Sequence, residues 1–484
     1  MKSLQIIVSI CLIIICNCGF GANPNKQILH FNADKTFKIV QFTDIHWESG
    51  LEGNEMTTLS MEIILDKEKP DLVVLTGDIV TSGNVSKGWS EVAAPMIQRK
   101  INWVAVFGNH DSEGEMPRKK VYGIVSKLEY NLSGKTLDEI SGVGNFNMSI
   151  LSSNNKKSAI LYFFDSHAYP EPNMPGAYDW IKNDQILWYK NISSQYTQEN
   201  NNQPQPSLAF FHIPLPEYKE VRAMDKVVGH RSEEVSSPVI NTGLFSAMIE
   251  KQDIMGVFTG HDHNNDFIGV LNNIALAYGR CSGNNGYGDL RLGARVIELF
   301  QDEFHFNSWI ATPAKTEFQF TYPMSNLMGE STELLPAIAA VKELKQGVRY
   351  HYFEGELKSV NEIDGLDKIK SGILENISLS PAQQTDHFAF VFETCLKIPD
   401  DGIYQFYLLS DDGAILNIDD HEIINNDGGH SVRLRRGAVG LKRGYHKFEL
   451  QYFEDYMGNT LEVGMSSVKS RQNKLDKSYF FIEK

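Results

Sequence analysis

Apolar residues in the first two-thirds of the chain fall into short unbroken runs, each closed by polar groups. The runs are FKIVQFT from Phe37, DLVVLTG from Asp71, NWVAVFG from Asn102, AILYFFD from Ala159, SLAFFH from Ser207, IMGVFTG from Ile254 and NIALAYG from Asn273. Runs of this length without alternation predict strands buried on both faces. Helical spacing separates the first of them. Leu59, Met61, Ile63, Ile64 and Leu65 predict a helix over 57–67, and Trp89, Val92, Ala93, Met96 and Ile97 recur at i, i+3, i+4, i+7, i+8. Pro95 interrupts that second stripe, so a kink or a late start is expected. Strand and helix alternate, which predicts an α/β domain over residues 30–320.

The texture changes after a linker at 321–345. GVRYHYFEG, HFAFVFETCLKI, GIYQFYLLS, AILNID, HEIIN and YHKFELQYF are short aromatic-rich strands punctuated by SDDG, NNDGG and RRG. This pattern predicts an all-β sandwich over 346–484. A chain of 484 residues with 42% hydrophobic content has material for two such cores.

Charge and cysteines narrow the function classes. Lys plus Arg number 45 against 61 Asp plus Glu, a net charge of −16. No basic track for a polynucleotide backbone is present. Lys2 followed by the apolar run Ile6–Cys16, then Gly19 and Gly21, predicts a cleaved secretory signal over 1–21. The expected location is therefore exported: secreted, periplasmic or at the cell surface. A lipid anchor on Cys16 or Cys18 ranks lower, because Ile13–Ile15 and Asn17 suit that processing poorly. No later stretch is apolar enough to span a bilayer. Only Cys281 and Cys395 lie beyond the leader, which is no disulfide framework.

The candidate chemistry lies where the strands stop. FKIVQFT is followed by Asp44-Ile45-His46, DLVVLTG by Asp78, NWVAVFG by Asn109, His110 and Asp111, SLAFF by His212, and IMGVFTG by His261 and His263. Five strands end in metal-competent groups, and ligands of an open α/β sheet bind beyond the carboxyl ends of its strands. Two neighbouring cations need anionic oxygens to hold them together, while imidazoles and an amide oxygen complete the shells without adding charge. Taken singly, DxH or GNHD is as well read as a strand-end turn. Five such turns at one edge make that reading strained.

In this order the motifs DIH, GDIV, GNHD, FHIP and GHDH resemble the calcineurin-like metallophosphoesterase superfamily. INWVAVFGNHDSE, LYFFDSHAYP, GAYDWIKNDQILWY, LAFFHIPLPEY and VFTGHDHNNDFIGVL resemble its plant and yeast branch related to purple acid phosphatases. The resemblance implies a metallophosphoesterase β-sandwich flanked by helices. It implies two divalent or mixed-valence ions (Fe, Zn or Mn): Asp44, His46 and His263 on the first, Asn109, His212 and His261 on the second, Asp78 bridging. It implies hydrolysis of a phosphate mono- or diester by a metal-bound hydroxide. His110 would face the phosphate, and Asp111 would orient the His110 ring. Purple enzymes carry Tyr three residues after the bridging Asp; here Thr81 stands there, so no charge-transfer colour is expected.

Arg231, Arg280 and Tyr218 lie near the motifs and could touch substrate, although solvated loops are the plainer reading. The C-terminal part resembles the protective-antigen-type β-sandwich, some members of which bind glycans through calcium held by paired aspartates. Asp411 and Asp412, with Asn426 and Asp427, could supply such oxygens. A hairpin turn in a spacer or docking module is the plainer reading of SDDG. The alternative to an esterase is a non-catalytic glycan-binding or attachment protein on a phosphoesterase scaffold.

Overall fold

The computed structural model describes residues 28–484 except 82, 115, 225–226, 324–332 and 339–342. The leader expected at 1–21 lies outside the described residues. The α/β part runs β1 (Leu29–His30), β2 (Thr36–Phe42), α1 (Asn54–Glu68), β3 (Leu72–Thr76), α2 (Val85–Gln98), β4 (Trp103–Val106), α3 (Arg118–Val125), β5 (Phe146–Leu151), β6 (Lys157–Phe163), α4 (Asn183–Glu199), β7 (Ser207–Phe210), α5 (Tyr218–Ala223), α6 (Leu244–Lys251), β8 (Ile254–Thr259), β9 (Ile268–Leu271), β10 (Ile274–Tyr278), β11 (Ala294–Phe300), β12 (Phe306–Ala311) and β13 (Thr316–Tyr322). Pro95 lies inside α2, which runs through it to Gln98.

These strands form two sheets rather than one. The seven-stranded sheet has the order β1-β5-β6-β7-β8-β10-β9, and the six-stranded sheet β13-β12-β11-β2-β3-β4. Each run that ends in a candidate ligand explains itself by having two apolar neighbours. In β3, Leu72 and Val74 pack between the sheets with Phe163, Phe210 and Phe258. Val73 and Leu75 face the opposite way, onto Met61, Trp89 and Met96 of α1 and α2. The other sheet is covered by Tyr189 of α4, Val221 of α5 and Met248 of α6. Strands β2, β3 and β4 are mutually parallel, as are β6, β7 and β8, so the functional ends of each sheet point one way.

The C-terminal part is all β: β14 (Leu344–Gln346), β15 (Val348–Glu354), β16 (Lys368–Leu374), β17 (Phe388–Ile398), β18 (Gly402–Asp411), β19 (Ala414–Ile418), β20 (His421–Asn426), β21 (Arg433–Leu441), β22 (Gly444–Glu454), β23 (Thr460–Ser467), β24 (Ser470–Lys474) and β25 (Phe480–Glu483). An eight-stranded and a four-stranded sheet enclose a core that includes Phe390, Phe406, Leu416 and Leu450. Within the stretch expected to be a linker, Leu335 and Ile338 hydrogen-bond along this sandwich, to Gly440 and Tyr445.

The β23–β24 hairpin joins the two parts. Arg471 donates to the carbonyl of Ile254 (2.6 Å) and to the Tyr322 hydroxyl (2.8 Å), and its guanidinium lies 4.6 Å from the Phe304 ring centre. The Phe304 amide donates to the carbonyl of Val468 at 2.6 Å. Ile254 is the first residue of β8, so the docking is at the upstream end of the strand whose downstream end carries His261 and His263. No helix among the described residues is long and apolar enough to cross a membrane.

Candidate metal centre

The strand ends of both sheets meet at one place. Asp44, His46 and His263 form one donor group, and Asp78, His212 and His261 a second, the donor atoms of each lying within 4.8 Å of one another. Asp78 stands between them: one of its oxygens is 3.0 Å from His212 Nε2 and 3.9 Å from His46 Nε2. Sequence order alone suggested one open sheet edge. The pocket is instead a seam, with Asp44, His46, Asp78 and Asn109 contributed by the six-stranded sheet and His212, His261 and His263 by the seven-stranded one.

The backbone is bent to allow this. Asp44, His46, Asp78 and His261 all sit at positive φ (52°, 47°, 53° and 87°), a region that non-glycine residues occupy at an energetic cost and that clusters at functional sites. The glycines beside them follow from crowding. A Cβ on Gly77 would lie 2.5 Å from the His212 ring, and one on Gly108 would lie 2.2 Å from Asp78 Oδ1. Asp78 in turn accepts the His110 amide at 2.7 Å, and Asp44 accepts the His261 amide at 3.1 Å.

Hydrogen bonds turn the imidazoles into donors of the right sense. His212 Nδ1 donates to the carbonyl of Thr76 (2.7 Å), and His263 Nδ1 to the carbonyl of Tyr287 (2.8 Å). Each leaves Nε2 facing the pocket, as is usual for metal-binding histidines. Nε2 of His46 and Nε2 of His263 lie 3.1 Å apart, a spacing at which one ring donates to the other or both face a common cation. Two further buried atoms, Asn109 Oδ1 and His261 Nε2, have no hydrogen-bond partner. Burial would raise the carboxyls of Asp44 and Asp78, but the imidazoles around them outweigh it and hold both low. Burial would lower His212 and His263, but Asp78 and Asp44 pull them up to about 9 and about 11. Burial and the neighbouring His212 push His261 down to about 3. A pocket that draws protons onto two of its imidazoles beside two carboxylates is one that calls for cations, and the donor set of carboxylates, imidazoles and one amide oxygen fits them.

The expected roles of several other residues change. Asp111 does not touch the His110 ring. Its buried carboxylate accepts four backbone amides, those of Asp78 (2.8 Å), Ile79 (2.9 Å), Val80 (3.2 Å) and Gly108 (2.7 Å), and so fastens the two loops that carry Asp78 and Asn109. The His110 ring pairs instead with Glu113, Nδ1 to Oε2 at 2.6 Å, and its centre is 5.4 Å from that of His46. Neither substrate contact nor solvation describes Tyr218 and Arg280, which are buried. The Tyr218 hydroxyl donates to the carbonyl of Val257, and Arg280 pairs with Asp266. Arg231 is spent on the carbonyls of Arg222 and Met224. Three tyrosines were missed. Tyr287 stacks on His263 at 4.0 Å, Tyr178 sets its ring edge-on to His261 at 4.4 Å, and Tyr169 receives the Asn109 amide at 3.2 Å.

The comparisons with known proteins meet this geometry. The model of the calcineurin-like phosphoesterase family matches residues 37–265, and that of the PA14 domain matches residues 344–477. A protein of Arabidopsis thaliana named probable inactive purple acid phosphatase 29 is 35% identical over 330 residues, 61% of this chain and 85% of its own length. The chain belongs to the calcineurin-like phosphoesterase family. A second Arabidopsis protein, probable inactive purple acid phosphatase 14, is 33% identical over 343 residues, 63% of this chain and 86% of its own. Phosphatase DCR2 of Saccharomyces cerevisiae is 34% identical over 331 residues, covering 60% of this chain and 56% of that one. This calcineurin-like phosphoesterase thus joins a purple acid phosphatase-like unit to a PA14 β-sandwich.

The PA14 part has a buried acidic cluster of its own. Asp411, Asp412 and Glu454 bring carboxylate oxygens within 4.8 Å of one another. All three are buried, which an ordinary solvated hairpin turn would not require. Burial, with Asp412 and Asp411 close by, pushes Glu454 up to about 7. Asn426 and Asp427 are engaged elsewhere. Asn426 bonds Ser410 and Arg433, and Asp427 accepts from Ser359 and the Val360 amide. Glu454 was invisible beside SDDG because it arrives from β22, at the end of the ladder that pairs Ala414 with Tyr452.

Proposed function

We propose that the protein is an exported hydrolase that uses a pair of metal ions, drawn from Fe, Zn and Mn, to cleave a phosphate mono- or diester. The observation that carries this reading is the seam at Asp78, where two donor groups adjoin and Asn109 Oδ1 and His261 Nε2 lie buried without partners. Asp44, His46 and His263 would hold one ion, Asn109, His212 and His261 the other, with Asp78 between. Such a pair supplies charge for a phosphoryl oxygen and makes water a nucleophile at neutral pH. The chain's own groups do the rest. The carbonyls of Thr76 and Tyr287 fix two imidazoles in one tautomer. Asp111 pins the loops. His110, half-exposed at the mouth, exchanges a proton with the departing alcohol.

The two Arabidopsis relatives named above carry the words probable inactive in their names, which describes those proteins. This chain has all seven donors and His110, which favours turnover over the alternative of a non-catalytic glycan-binding or attachment protein. Metal analysis with a panel of aryl monoesters and diesters separates the two: two ions per chain and turnover of either ester are expected. Two ions with no turnover of any ester would favour the binding protein. His110→Ala should keep its metals and lose about 10²–10⁴ in rate, the range of acid–base groups; an unchanged rate removes the role given to His110. Export rests on the Lys2-to-Gly21 pattern and is tested by sequencing the N-terminus of the mature protein.

In the β-sandwich, the three buried carboxylates favour calcium, a hard cation that takes oxygen ligands, and a calcium exposed at its edge would bind glycan hydroxyls.

A further inference from the structure

His110 opens a single 3₁₀ turn, His110–Ser112, closed by the Glu113 amide donating to the His110 carbonyl at 3.2 Å. With three residues per turn, side chains at i and i+3 share a face, so this turn sets Glu113 beside the His110 ring. The contact is the first of three. Glu113 Oε2 takes His110 Nδ1 at 2.6 Å, Glu113 Oε1 accepts the Tyr169 hydroxyl at 2.6 Å, and the Tyr169 oxygen accepts Asn109 Nδ2 at 3.2 Å. The polarity of the series is fixed by its ends. An amide N–H can only donate and a carboxylate can only accept, so the Tyr169 proton goes to Glu113. His110 must then be the donor at Nδ1, which leaves Nε2 as the nitrogen that exchanges a proton with an ester. At the other end, Asn109 donates to Tyr169 through Nδ2, while its Oδ1 is buried and has no hydrogen-bond partner.

The His110 and Glu113 side chains are 37% and 45% exposed, and a lone hydrogen bond at that exposure would orient little. Tyr169 is itself 48% exposed, so the constraint comes from its contacts acting together. It is a second donor to Glu113, and its ring stacks on Tyr178 (6.3 Å, 27°), which is itself set edge-on to His261.

We propose that Glu113 and Tyr169 are positioning residues that hold His110 in its Nδ1–H form and couple its orientation to the second donor group through Asn109. This rests on the hydrolase reading above for its purpose, but not for its test. A cation held by Asn109 would polarise the amide and strengthen its N–H as a donor to Tyr169, which would in turn steady Glu113 and His110. Coupling of this kind is reciprocal, so disturbing Tyr169 weakens the second ion.

The test uses the full chain with ¹⁵N-labelled histidine. His110 is identified by the signal lost in His110→Gln, and its tautomer is read from the two ring-nitrogen shifts. The wild type should show Nδ1 protonated. Glu113→Ala should shift His110 toward the Nε2–H form. Glu113→Gln, whose amide oxygen can still accept, should restore most of the wild-type pattern. Zn²⁺ titration should show the weaker of two sites loosened about 10–100-fold by Tyr169→Phe, the usual effect of removing a partner behind a metal ligand. An unchanged tautomer in Glu113→Ala, or a Zn²⁺ affinity within about twofold in Tyr169→Phe, overturns the proposal. Neither readout needs ester turnover. A wild type that binds two ions but hydrolyses nothing sinks the hydrolase and leaves this inference standing or falling on the spectra and the titration.

Discussion

Asp111→Asn should damage the fold and the pocket together. Each Asp111 oxygen receives two backbone amides: Oδ2 takes those of Asp78 and Gly108, and Oδ1 those of Ile79 and Val80. An asparagine keeps one oxygen and places an NH₂ against the other two amides. Two hydrogen bonds to a charged acceptor are lost at about 1.5–3 kcal/mol each, or about 3–6 kcal/mol in all. Relief of the repulsion between Asp111 and Asp78 brings the expected value toward the lower end. That remains a large share of the roughly 5–15 kcal/mol that holds a typical domain folded. Urea unfolding followed by tryptophan fluorescence measures it, since Trp89 and Trp103 are buried against the same sheet. The midpoint should fall by an amount matching this loss. Metal content should fall as well, because the same amides set the backbone of Asp78 at its positive φ. A variant within about 1 kcal/mol of wild type that still holds two ions would refute the idea that Asp111 acts through the loops.

In EDTA, the β-sandwich should lose stability as pH rises. The Glu454 carboxyl is raised from about 4.5 unfolded to about 7 folded, so the folded form favours its proton; that advantage is full below the unfolded value and gone above the folded one. Thermal melts of the full chain at pH 5 to 8 should show the slope in EDTA and lose it in millimolar Ca²⁺ or in Glu454→Gln; a slope of opposite sign contradicts the buried cluster. Arg471→Met should loosen the docking of the two parts, removing two charge-assisted hydrogen bonds, to Ile254 and Tyr322, worth about 1.5–3 kcal/mol each. X-ray scattering would register a larger radius of gyration with ester turnover retained, and an unchanged radius would assign the docking to other contacts. Protein loaded with iron should show no strong visible band, given Thr81 three residues after Asp78; a purple preparation contradicts this.

The strand ends were legible because each of five apolar runs stops at a metal-competent donor, three of them after a glycine, and crowding at Gly77 and Gly108 leaves no other residue there. What pattern could not convey is the partition into two sheets. A doubly buried strand has the same sequence whether its neighbours continue one sheet or begin another. Tyr218 and Arg280 look like loop residues, yet burial depends on tertiary partners, Val257 and Asp266, which lie 39 and 14 residues away in the chain. Glu113 did leave a signal, the i+3 spacing from His110. It was overlooked because Asp111 is an equally acidic neighbour, and only the path of the turn separates them.

The placement of Arg471 has a geometric consequence. The β-sandwich is fastened behind the parallel strands, about 20 Å of β8 away from their ligand-bearing tips. Whatever the sandwich grips, the mouth of the pocket stays turned outward. On the proposed reading of a hydrolase whose sandwich binds glycan, an anchored copy would reach diffusing molecules, and groups borne by a facing surface, without releasing its hold.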